Sequence, residues 1–113
     1  MPSDEQIKEY ADKLPEIYRD VLSAFPGENP TRRDGDGLLP ESIESHVHFL
    51  NSDHREGDVT AAVARLTDRG FFEVDARFGE VRPTPLGERL IAAVTGRRPA
   101  PVSIPDLPVP SWG

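Results

Sequence analysis

Apolar residues recur over the first 25 positions at helical spacing: Ile7, Tyr10, Ala11, Leu14, Ile17, Tyr18, Val21, Leu22 and Phe25. Pro15 interrupts this stripe, because proline lacks the N–H and clashes one turn back. The pattern therefore predicts a kink or two abutting helices, near 4–13 and 15–25. Ser3 followed by Gln6 fits a capping box at the start. The stretch FPGENPTRRDGDG, 25–37, is dense in turn residues and reads as loop. Pro40 suits the first turn of a helix running to about Leu50, with Ile43, Val47 and Leu50 inward. Asn51-Ser52-Asp53 breaks that helix, since these side chains compete for backbone hydrogen bonds. The next helix runs over 56–69 and turns Val59, Ala62, Val63 and Leu66 to the core, with Gly70 as a left-handed cap just beyond.

A change of period follows. Phe72 and Val74 alternate with Glu73 and Asp75, as in a half-buried strand. Ala76 to Gly79 can turn, and Glu80 to Arg82 can return, which makes a short hairpin. Thr84-Pro85 then opens a last helix with Leu86, Leu90, Ile91 and Val94 as its stripe, ended by Gly96. Residues 97–113 hold five prolines and read as extended, polyproline-like chain. Two readings of this tail stay open. It is a disordered end, or Ile104, Leu107, Val109 and Trp112 dock in a groove on this subunit or a neighbour.

Composition narrows the functional classes. The chain has 113 residues, enough for one domain, here 1–98 with an N-terminal helical extension over 3–25, followed by a Pro-rich tail over 99–113. It has no cysteine, which removes disulfides and thiolate chemistry. The N-terminus is acidic and polar, unlike a signal peptide, and no apolar run has membrane-spanning length. A soluble cytoplasmic protein is expected, with no membrane partner. The net charge of -7 sits entirely in residues 1–54, which carry five Lys/Arg against twelve Asp/Glu. An anionic partner should therefore meet the second half.

The three histidines, His46, His48 and His54, lie close in sequence and raise the question of a metal. On a helix His46 and His48 point about 160° apart, so they cannot grip one ion. Asp34 and Asp36 begin like a calcium loop, but Leu38-Leu39 stand where further oxygens are needed. No metal and no cofactor are expected. No nucleophile, base and orienter assemble into a plausible set, so an enzyme is not expected.

The stretch VTAAVARLTDRGFFEV, followed by a hairpin and then RPTPLGERLIAAV, resembles the winged helix-turn-helix regulators of the MarR, ArsR and PadR type over residues 37–96. The resemblance implies a mainly α fold with a small β-hairpin wing. It implies a DNA-binding transcriptional regulator that puts the helix 56–69 in the major groove and the wing, near 75–82, on neighbouring DNA. Carried over by position, the DNA-binding residues are Arg55, Thr60, Ala61, Ala64, Arg65 and Arg77, with Arg32, Arg33 and Arg82 as further phosphate contacts. The family's usual homodimer would double these contacts, and the N-terminal stripe with the last helix offers an interface.

Departures from a typical DNA binder favour an alternative. Glu56 and Asp58 occupy the helix start and Asp68 its end, where phosphate would be repelled. A dense basic patch is missing. The alternative is a winged-helix protein–protein interaction module that does not bind DNA, meeting its partner through the acidic N-terminal half or the tail.

Overall fold

A computed structural model describes residues 3–25, 37–96 and 107–108. Arg32, Arg33, Ile104, Val109 and Trp112 lie outside the described residues, so expectations about them are carried no further. The described chain forms α1 (Asp4–Asp12), α2 (Glu16–Ser23), α3 (Pro40–Leu50), α4 (Glu56–Asp68), β1 (Phe72–Val74), β2 (Val81–Pro83) and α5 (Pro85–Thr95). It is a mainly helical fold with one small two-stranded antiparallel sheet.

Local chemistry accounts for the helix ends. Ser3 and Gln6 form the expected reciprocal capping box. Pro15 resolves its conflict by ending continuity altogether: it stands before α2 in an extended conformation, so two helices abut. Thr84 caps α5 through the Gly87 N–H at 3.1 Å, with Pro85 in the first turn. At the end of α4, Gly70 adopts φ +85°. The Gly70 N–H donates to the Thr67 carbonyl and the Phe71 N–H to the Leu66 carbonyl, which together make a Schellman cap.

The core draws on every element. Ile7, Tyr10 and Ala11 of α1, Val21 and Leu22 of α2, Ile43 and Val47 of α3, Leu66 of α4, and Leu90 and Ile91 of α5 are all buried. Fully burying one such aliphatic or aromatic side chain contributes on the order of 1.5–3 kcal/mol. Phe71 and Phe72 both turn inward, where Tyr10 meets Phe71 at 5.8 Å and Phe25 meets Phe72 at 4.8 Å between ring centroids. α1 packs chiefly on α5, while α2 touches α3, α4 and α5. The N-terminal stripe expected to join a second copy is thus buried within its own chain.

Two core assignments need correction. Val74 is 56% exposed although its alternation with Glu73 predicts burial. β1 is only three residues long, and only Phe72 reaches the core. Leu50 is 49% exposed although it falls on the same helical stripe as Ile43 and Val47, because α3 ends there. Phe49 beside it is 87% exposed.

In the hairpin, Phe72 pairs with Pro83, Glu73 with Arg82 and Val74 with Val81. The Gly79 N–H donates to the Asp75 carbonyl at 2.7 Å, and Gly79 takes φ +72° to close the turn. Leu38, just before α3, bridges to Val81 through two backbone hydrogen bonds of 2.8 and 2.9 Å. Leu107, from the Pro-rich tail, packs partly buried against the core.

Candidate nucleic-acid interface

The connection from α3 to α4 is held down on α2. Asn51 accepts from the Asp53 N–H at 3.0 Å through its side chain, which ends α3 as its residue type suggests. His54 Nε2 lies 3.0 Å from Asp20 Oδ2, and Asn51 Nδ2 lies 3.5 Å from Glu16 Oε1. His46 Nε2 is 3.1 Å from Ser23 Oγ. Two of the three histidines therefore fasten the α3–α4 segment to α2, and His48 stands 3.9 Å from Glu44 on its own helix. His46 and His48 do not converge. The group among the described residues that brings metal-type ligand atoms together is Glu16, Asp20 and His54, all within 4.8 Å of one another. Sequence spacing missed it, because His54 comes from a different element than the two carboxylates.

This anchoring fixes the aspect of α4. Val59, Ala62 and Leu66 are buried, whereas Thr60, Ala61, Ala64, Arg65 and Asp68 are exposed. The five outward positions are those a period of 3.6 places opposite the core. Arg55 precedes the helix in an extended conformation and is exposed. Backbone N–H groups without helical partners gather at that end and attract an anion, while the exposed Asp58 in the same turn opposes it.

The arginines differ in what already holds them. Arg65 Nη1 donates to the hydroxyl of the buried Tyr18 at 3.1 Å. Arg82 meets Asp75 at 2.8 Å and Glu80 at 4.0 Å. Arg77 is exposed at the hairpin turn, where its backbone N–H donates to Asp75 Oδ1 at 2.8 Å and its guanidinium lies 5.5 Å from the Phe78 ring centre. Arg55, just before α4, and Arg77, at the hairpin turn, are thus exposed, while Arg65 and Arg82 are engaged within the chain. Tyr18 as a partner of Arg65 was not legible beforehand, since Tyr18 reads as one more member of the apolar stripe.

Between α3, α4 and the hairpin lies a groove of about 360 Å³ whose lining includes Thr60, Val63, Ala64, Asp68, Val74 and Gly79. The hairpin thus stands directly beside the outward residues Thr60 and Ala64. No helix among the described residues is long and apolar enough to cross a membrane. No protein-family model, curated protein or solved structure matches this chain.

Proposed function

We propose that the chain is a winged helix-turn-helix domain that binds double-stranded DNA as a transcriptional regulator, with α4 in the major groove and the hairpin as its wing. One observation carries the reading: α4 buries one face and presents Thr60, Ala61, Ala64 and Arg65 on the other, directly followed by a hairpin with an exposed Arg77 at its turn. Ala61 and Ala64 are small enough for close approach to base edges. Arg65 is the side chain of that face suited to guanine O6 and N7, and Thr60, Arg55 and Arg77 are suited to phosphate. Arg82 would add a phosphate contact only by leaving Asp75. So few cations give weak binding by one chain, and a homodimer would supply the rest.

A second reading rests on the paired arginines. With Arg65 and Arg82 engaged internally and Asp58 and Asp68 exposed on α4, the same scaffold suits a module that binds protein instead. Fluorescence anisotropy with a labelled random duplex at low salt separates the two. The DNA reading expects saturable binding that falls steeply with added salt. Absence of binding at low salt would remove it and leave the protein module.

A further inference from the structure

We infer that the groove between α3, α4 and the hairpin is a binding site for a small lipophilic amine, an apolar body carrying one protonated nitrogen. The size is that of a small-molecule site: about 360 Å³, with walls supplied by three separate elements. Its surface is largely apolar, built from Pro40, Val59, Val63, Ala64, Val74 and Val81. Val74 is the telling residue. A strand valine that the alternation should bury is 56% exposed, and it stands on the wall of this groove. Val63, on the inner stripe of α4, is likewise only partly buried and faces the same space. An apolar ligand body would cover both.

Charge decides the rest of the ligand. Among the described residues, the charged ones lining the groove are Glu44 and Asp68, both acidic, with no Lys, Arg or His. His48 approaches Glu44 at 3.9 Å but does not line the space. A carboxylate or phosphate ligand would meet repulsion, and a neutral one would gain at most a hydrogen bond from Glu44 or Asp68, without the charge attraction an ammonium adds. A cation over a partly exposed carboxylate gains modestly. The Thr67 hydroxyl, which already donates to the Val63 carbonyl at 2.8 Å, keeps lone pairs that can accept from an ammonium. The site shares Thr60, Ala64 and Asp68 with the exposed face of α4, so, resting on the DNA reading, an occupied groove would exclude duplex there.

The test is a nuclear magnetic resonance titration of the full chain, following backbone amide shifts, with three probes of one body: 4-phenylbutylamine, 4-phenylbutanol and 4-phenylbutyrate. The amine should move the amides of Val63, Thr67 and Val74 saturably and bind about fivefold tighter than the alcohol, the strength of one partly exposed charge pair. The butyrate should bind more weakly than the alcohol. Asp68→Asn combined with Glu44→Gln should bring amine and alcohol to equal affinity while leaving the alcohol unchanged. Equal binding of all three probes by the parent, shifts mapping elsewhere, or no saturable shift at millimolar amine would each overturn the proposal. Displacement of labelled duplex by the amine is read separately. Amine binding without any duplex binding sinks the DNA reading and leaves the groove standing.

Discussion

Gly87 lies directly against the backbone of Phe71: a β-carbon at residue 87 would overlap the Phe71 carbonyl oxygen and stand 2.9 Å from its carbonyl carbon. That carbonyl cannot easily retreat, because it also accepts from the Thr84 N–H at 3.0 Å, and the Thr84 hydroxyl holds the adjacent Gly70 carbonyl at 2.5 Å. The first turn of α5 therefore rests on the chain leaving α4, and only glycine allows the approach. Gly87→Ala should destabilise by about 1–3 kcal/mol, as overpacking does elsewhere. Urea unfolding reads this as a lowered midpoint. An unchanged midpoint would mean that α5 does not dock there.

Gly70 and Gly57 make a contrasting pair. At φ +85° Gly70 holds a conformation that β-branched residues adopt badly, so Gly70→Val should cost about 1–3 kcal/mol. Gly57 sits in the first turn of α4 with open space where a β-carbon would go, so Gly57→Ala should be neutral or slightly stabilising. Both are read by urea denaturation at one protein concentration. Equal midpoints for the two variants would contradict the placement of the α4 cap.

For DNA, Arg65→Ala should weaken a preferred site by about 1–3 kcal/mol, while Arg77→Ala should weaken all sequences alike. The Tyr18 hydroxyl adds a discriminating variant. If its bond aims the guanidinium, Tyr18→Phe should reduce sequence preference while leaving binding to random duplex unchanged. Equal losses from Arg65→Ala and Arg77→Ala on every duplex would show that Arg65 reads no base.

Zinc should show no saturable binding at micromolar concentration. In the Glu16, Asp20 and His54 group, one Asp20 oxygen is already bonded to His54, and Asn51 approaches Glu16. An incoming ion would have to displace those contacts. Calorimetry on the parent and on His54→Ala gives the answer, and stoichiometric binding abolished in the variant would refute the expectation.

Local signals carried the element order. Helical periodicity, Ser3 with Gln6, Pro40, Gly70 and Thr84-Pro85 each act within a turn or two of chain, so they are readable without tertiary information. Contacts between elements were not. Nothing near Val74 in sequence reveals that its side of the hairpin opens onto a groove. Leu50 has the right angle for burial, but burial also needs a neighbour at that height, and α3 stops there. The α4 face was legible because exposure follows the same period as burial. The partners of its arginines were not, since Arg65 to Tyr18 spans 47 positions.

The bridge between Leu38 and Val81 changes what the small sheet offers to other molecules. A two-stranded hairpin ordinarily presents two open edges, each a template on which a foreign strand can grow. Here β2 carries β1 on one side, and on the other its Val81 is already bonded in both directions by Leu38. Two residues on, Pro83 has no N–H to give. An approaching strand thus meets β2 with its first position occupied and its last unable to donate, which guards this edge against ordered aggregation.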